Sequence, residues 1–150
     1  MSEFYLQKPD DFHVELEVST VFIECKKKVL LLQRAAHKIA PNSWAVPGGK
    51  LEGKETPKEG LIREIQEELQ LIAPQDKLKL VDSRYVRHPL MQYRLHLFHW
   101  QVPDLPKIIL NPEEHQAFCW QSISDFHALP LMEGQLEAFL VVYGSHPDRL

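Results

Sequence analysis

The turn Gly48-Gly49, followed after a short polar stretch by Thr56-Pro57, Glu59, Leu61, Ile62, Ile65 and Leu69, fixes more of the fold than any other part of the chain. Two adjacent glycines let the main chain turn sharply or approach another segment closely. Thr56 is placed to cap a helix, Pro57 fits the first helical position, and Glu59 stands where the acid of a capping box belongs. At about 100° per residue, Leu61, Ile62, Ile65 and Leu69 share one arc, while Glu64, Glu67 and Glu68 share the neighbouring one. One side of this helix packs on a core; the adjacent side carries three carboxylates.

The flanking segments read as strands. Val14 to Cys25 alternates loosely and is rich in Val, Thr, Phe and Ile, and Lys26-Lys27-Lys28 makes a polar turn before Val29 to Leu32, so this is a hairpin. Ala35 to Ser43 is a polar connector, and Trp44-Ala45-Val46 a short strand leading into Pro47-Gly48-Gly49. Beyond Pro74, Leu78 to His88 and Tyr93 to Gln101 form two strands joined around Pro89. Pro103 to Pro112 is a proline-bearing loop, Ala117 to Gln121 a further strand, and Gly134 to Tyr143 a last helix with Leu136, Phe139 and Leu140 inward. Strands on both sides of a central helix, with a second helix at the end, predict an α/β fold with a mixed sheet sandwiched between helices.

At 150 residues the chain is most simply one domain, residues 1–150. A formal net charge of -4 lacks the basic excess needed to grip a long nucleic acid, which leaves a small polyphosphate carried with its cation as the anionic partner. Met1-Ser2-Glu3-Phe4-Tyr5 shows no basic stretch ahead of an apolar one, and Val29 to Leu32 is far too short to span a bilayer, so no membrane association and a cytoplasmic location are expected. Cys25 and Cys119 lie in apolar, strand-like sequence without metal-ligand spacing, and two buried reduced thiols are expected. His88, His96, His99 and His115 are too scattered to argue a zinc site.

Glutamates three and four apart on a helix usually mark a solvated face. Here the acids lie beside one another rather than opposite Lys or Arg, and two unit charges ~4 Å apart repel by about 4 kcal/mol at an effective dielectric near 20. Oxygen-only carboxylate ligands suit Mg²⁺ or Mn²⁺. The Gly48-Gly49 turn brings main chain close enough for a backbone carbonyl to join them.

The segment resembles the Nudix box, in which a glycine and then a glutamate precede an Arg-Glu-aliphatic-x-Glu-Glu-x-Gly-aliphatic run. Gly49, Glu55, Arg63, Glu64, Ile65, Glu67, Glu68 and Leu71 fall on its positions, and Gln70 stands where the family has glycine. In the family that glycine closes the helix with positive φ, where another residue costs about 1 kcal/mol. The resemblance implies the Nudix α/β/α sandwich, with Glu64, Glu67 and Glu68 binding divalent metal, helped by the Gly48 carbonyl. It implies further that Arg63 orients the carboxylates, that Glu55 supports metal or its bound water, and that Arg63 pairs with Glu55 or Glu68. Gly49 and Arg34 would meet the substrate, Arg34 through a phosphate. Homodimers are frequent in the family.

Nudix hydrolases cut a nucleoside diphosphate linked to another group, which implies metal-assisted attack of water on phosphorus. The base is sought among Glu67, Glu68 and Glu114, the last on a loop ahead of the Trp120 strand. Leu30 to Ala36 and the spacing from Arg34 to Gly48 resemble the MutT branch, and segments as far as Leu136-Glu137-Ala138-Phe139 resemble its bacterial CTP pyrophosphohydrolases. The expected reaction is hydrolysis of a nucleoside triphosphate to a monophosphate and pyrophosphate. MutT enzymes that read oxidised guanine use an asparagine near the start of the last helix, where this chain has Met132-Glu133-Gly134, so guanine-type specificity is not expected. Phe98, Trp100, Phe118 and Trp44 are aromatic enough to stack on a base, but aromatic strand residues are more often core. ADP-ribose or a dinucleoside polyphosphate as substrate stays open. So does a non-catalytic nucleotide-sensing module, although such modules usually lose box carboxylates that this chain keeps.

Overall fold

The computed structural model describes residues 1–144. In chain order the elements are β1 (Glu3–Tyr5), β2 (Leu16–Cys25), β3 (Lys28–Arg34), β4 (Trp44–Ala45), β5 (Gly48–Lys50), α1 (Pro57–Leu69), β6 (Lys79–Arg87), β7 (Gln92–Gln101), β8 (His115–Ser122) and α2 (Gln135–Tyr143). All eight strands belong to one sheet, with the path β1-β6-β7-β2-β3-β4, β5 added to β2 and β8 to β3. β2 and β7 run parallel from Leu16↔Tyr93 to Glu24↔Gln101, and the other pairings are antiparallel, so the sheet is mixed.

Alternation along the strands divides the core into two layers. On one face Val21, Ile23, Leu30, Leu32, Phe98 and Trp100 pack with Leu61, Ile65 and Leu69 of α1. On the other, Phe22, Val29, Leu31, Leu95 and Leu97 pack with Phe126, Ala138, Phe139 and Tyr143. The helices therefore cover opposite faces of the sheet, the expected α/β/α sandwich. Phe98 and Trp100 are core, as their strand positions suggested, whereas Phe118 is exposed and Trp44 half-buried.

The β2–β3 hairpin turns through Lys26 and Lys27, both at positive φ, the mirror-image turn that matches strand twist. Beyond Glu24↔Val29 the two strands separate, and the segment 44–50 enters the gap, with β4 pairing with β3 and β5 with β2. This split carries the glycine turn under α1.

Three expectations need correction. In α2, Phe139 is buried, but Leu136 and Leu140 are 42% and 38% exposed, because the inward arc runs through Ala138, Phe139 and Tyr143 and leaves those leucines on its flank. Cys119 is only half-buried, unlike Cys25, although both thiols are free. The strand expected from Ala117 begins at His115, drawn in by pairing with Arg34 across a bulge. The edge strand β1 gave no signal in the sequence. No helix among the described residues is long and apolar enough to cross a membrane.

Candidate functional site

Each glycine of the turn abuts one carboxylate of α1. Gly48 has φ +154°, and a side chain there would collide with the backbone of Ser19 and Thr20 on β2. A Cβ on Gly49 would overlap the Glu64 carboxyl. The Gly48 N–H donates to Oε1 of Glu68 at 2.9 Å. Helix α1 is held in place by the capping box, with Thr56 accepting from the Glu59 N–H and Glu59 from the Thr56 N–H. It is also tied to the sheet by the Ser19 hydroxyl, which donates to the Pro57 carbonyl. The helix stops at Gln70, which adopts φ 54°, ψ 40° and donates its N–H to the Gln66 carbonyl. Glutamine thus takes the left-handed conformation that glycine adopts most readily.

Arg63 organises the acids. Its Nε donates to Glu55 Oε2 at 2.7 Å, its Nη1 to Glu64 Oε1 at 3.1 Å and to Glu67 Oε1 at 3.2 Å, and its Nη2 to the Lys50 carbonyl at 2.9 Å. The acids are therefore not free of basic partners, as their order in the chain suggested. A guanidinium one residue from Glu64 and one helical turn from Glu67 reaches both. The expected pair with Glu55 forms and holds that carboxyl below the usual range, chiefly through the Arg63 hydrogen bond. The alternative pair with Glu68 does not form, because Glu68 turns toward Gly48.

Glu68 is the exceptional group. It is 9% exposed and, among the described residues, has no Lys or Arg within salt-bridge distance, its ion-pair contact being His115 Nε2 at 3.7 Å from Oε2. Burial pushes its carboxyl up to about 8; the Gly48 N–H opposes this, and the charges of Glu64, Glu114 and Glu67 add to it. Burial also raises Glu64 despite its contact with Arg63. His115 is pushed down by burial, and its Nδ1 has no hydrogen-bond partner among the described residues.

Glu64, Glu67 and Glu68 open onto a cleft of about 320 Å³ that Gly48, Gly49 and Lys50 line on the glycine side. Arg34, Asn111, Glu114 and His115 close it opposite. Arg34 stands at the end of β3, opposite His115 in register, with its Nε donating to the Ile39 carbonyl. Glu114 takes a 3.2 Å contact from Lys38, and the turn bearing it is braced by the Asn111 side chain and carbonyl. Of the site residues singled out from the sequence, Arg34, Gly48, Gly49, Glu64, Glu67, Glu68 and Glu114 line this one cleft; Arg63 and Glu55 do not, and act on it through the bonds of Arg63 to Glu64 and Glu67. Lys50, Asn111 and His115 were missed. The signal for His115 was its place beside Glu114, and only the strand register reveals that it faces Glu68.

The donor set fits a hard divalent cation, being oxygen-rich and including a buried carboxylate without a Lys or Arg partner among the described residues. Among the described residues no three His, Cys, Asp or Glu side chains already form a cation cage. Glu64 and Glu67 are turned to Arg63, so binding a cation requires them to exchange that contact.

The NUDIX domain profile matches residues 14–140. The CTP pyrophosphohydrolase of Escherichia coli strain K12 is 33% identical over 135 residues, covering 88% of this chain and 96% of that enzyme. A putative 8-oxo-dGTP diphosphatase 2 of Mycobacterium tuberculosis is 30% identical, covering 66% of this chain and 67% of that protein. The crystal structure of a MutT NUDIX hydrolase from Burkholderia pseudomallei superposes with a TM-score of 0.73 at 20% identity, covering 85% of this chain and 97% of that one.

Proposed function

The chain belongs to the NUDIX family and is a Nudix hydrolase, and from that premise we propose that it is a divalent-metal-dependent pyrophosphohydrolase that cleaves a nucleoside triphosphate to a nucleoside monophosphate and pyrophosphate. The observation that carries this reading is Glu68, a buried carboxylate facing a phosphate-sized cleft with no Lys or Arg partner among the described residues. Glu68, Glu64 and Glu67, with Gly48 beside them, would hold Mg²⁺ or Mn²⁺. When bound, the ion neutralises phosphate oxygens and lowers the pKa of water.

The chain's own residues supply the rest. Lys50 and Arg34 flank the cleft as cations for the triphosphate oxygens, and Gly49, having no side chain, leaves room for the Glu64 carboxyl at the cleft wall where substrate would lie. Arg63 and Glu55 position the acids. Glu114, held by Lys38 on the opposite wall, is the proposed base that takes the proton from the attacking water. The water oxygen bonds to phosphorus, a bridging P–O bond breaks, and the displaced phosphate oxygen leaves within pyrophosphate or the monophosphate. The relatives named for CTP and for 8-oxo-dGTP support the triphosphate class. A cytoplasmic site of action belongs to the same reading, supported by two free cysteines.

The test is a panel of nucleoside triphosphates incubated with and without Mg²⁺ and scored for pyrophosphate against orthophosphate. Mg²⁺-dependent pyrophosphate release supports the reading, and orthophosphate release or no turnover contradicts it. Glu114→Gln is expected to lower kcat about 10²-fold or more with little change in KM; an unchanged rate and pH profile removes Glu114 from the mechanism.

A further inference from the structure

His115 stands in the wall of the cleft and takes no part in the steps above. It opens β8, where its N–H donates to the Asn111 carbonyl and its Cα lies opposite Arg34 across the bulge, so the main chain fixes the ring between that wall and α1. The residue is 9% exposed. Its Nδ1 is buried with no hydrogen-bond partner among the described residues, and its Nε2 lies 3.7 Å from Glu68 Oε2. We propose that His115 is a positioning residue whose Nε2–H is the second anchor of the Glu68 carboxylate, beside the Gly48 N–H, and that the two together fix the orientation in which Glu68 meets the cation. The proposal rests on the reading above that Glu68 holds a divalent ion.

The unmatched nitrogen is the first argument. A buried polar atom without a partner costs about 1–3 kcal/mol, and an apolar side chain of similar volume fills the same space without that cost. A histidine kept there with one nitrogen unsatisfied is explained by what the other nitrogen does. The hydrogen of a neutral ring belongs on the Glu68 side for two reasons. On Nδ1 it would be a buried donor with nothing to accept it, and it would leave the Nε2 lone pair facing a carboxylate oxygen. On Nε2 it faces that oxygen and leaves a lone pair, not a donor, at the unmatched position. A ring carrying both hydrogens again buries an unmet donor at Nδ1.

Glu68 is the carboxylate that needs such a contact. Arg63 holds Glu64 and Glu67. For Glu68 the one hydrogen bond among the described residues comes from the Gly48 N–H to Oε1 at 2.9 Å. Held at a single oxygen, the group can turn about its last bond. The 3.7 Å gap from His115 is about 1 Å longer than a charge-assisted hydrogen bond and too narrow for a bridging water, so a small turn of either side chain closes it. Outer groups that orient a metal ligand are worth roughly 10- to 100-fold in metal affinity.

The experiment compares wild type, His115→Phe and His115→Gln in Mn²⁺ titration, with and without a nucleoside triphosphate, and in Mg²⁺-dependent turnover. Phenylalanine keeps a ring and removes the donor, whereas glutamine keeps a donor near the Nε2 position. His115→Phe should bind Mn²⁺ about 10-fold more weakly or worse, and its turnover should recover toward wild type as Mg²⁺ is raised, while His115→Gln should stay close to wild type in both. Unchanged Mn²⁺ affinity in His115→Phe, a loss that excess Mg²⁺ does not relieve, or a glutamine variant as impaired as the phenylalanine one overturns the assignment. The contact itself is read by long-range proton–nitrogen NMR of the ring in the metal-free protein at pH 9, above the value of about 8 to which Glu68 is raised. The hydrogen should sit on Nε2, and its signal should shift in Glu68→Gln. A hydrogen on Nδ1, or a signal indifferent to Glu68→Gln, overturns the proposal even if Mn²⁺ binds. A wild type that takes up no Mn²⁺ while the Nε2–H contact is present overturns the metal reading and leaves the contact of His115 with Glu68 standing.

Discussion

Replacing Glu68 by glutamine should stabilise the metal-free protein at pH 8 while abolishing turnover. The side chain is buried, has no Lys or Arg partner among the described residues and shares its surroundings with Glu64, Glu67 and Glu114. Its folded-state carboxyl is raised from an ordinary 4.5 to about 8. A carboxyl raised on folding leaves the native state holding more protons than the unfolded state between those two values, so stability falls as pH climbs through that window. The penalty is absent below about pH 4, grows from there, and is complete above pH 8. At 1.36 kcal/mol per unit the full penalty is at most ~5 kcal/mol, and relaxation around a group coupled to three other acids brings the expected figure to about 2–4 kcal/mol. Glutamine keeps an oxygen for the Gly48 N–H and carries no charge. Urea denaturation with a chelator at pH 5 and pH 8 reads the difference directly. The variant should match wild type within ~1 kcal/mol at pH 5 and exceed it by about 2–4 kcal/mol at pH 8. The lowered His115 works in the opposite sense below its ordinary value, but it is common to both proteins and largely cancels. A variant that loses the same stability at both pH values would refute the claim that Glu68 is an uncompensated buried charge.

Other perturbations probe the frame around it. Gln70→Gly relieves the left-handed strain at the end of α1 and should raise stability by up to ~1 kcal/mol, about 2–4 °C in Tm, without changing kcat. Arg63→Ala leaves Glu55, Glu64 and Glu67 facing one another and should cost about 2–3 kcal/mol as well as most activity, and Arg63→Lys should rescue little because a lysine lacks the fork that spans all three. Gly49→Ala drives a methyl into the Glu64 carboxyl and should lower turnover by about 10-fold or more with a small change in melting temperature.

What could be read from the sequence was what is local. The capping box, the α1 arcs and the glycine turn depend on contacts within a few residues, and the structure has them where the spacing put them. Even the substitution at Gln70 was legible as a backbone question, and the chain answers it by accepting the left-handed conformation. The far wall of the cleft was not legible in the same way. Glu114 was picked from its loop, but Lys38 beside it and His115 behind it depend on pairings across roughly eighty residues of chain. The partner of the acids was hidden for another reason. Arg63 lies within the same run, yet whether it folds over Glu64 and Glu67 or reaches elsewhere is set by the β5 strand passing beneath it, through the Lys50 carbonyl. Leu136 and Leu140 were placed inward because the apolar residues of α2 outnumber the positions its packed arc provides.

The most direct test of the account is titration of the purified, metal-free protein with Mn²⁺, followed by the loss of the free-ion electron paramagnetic resonance signal, with and without a nucleoside triphosphate. Saturable uptake by wild type that Glu68→Gln abolishes is the predicted result. No saturable uptake in either condition would contradict the claim that these carboxylates are gathered to hold a divalent ion.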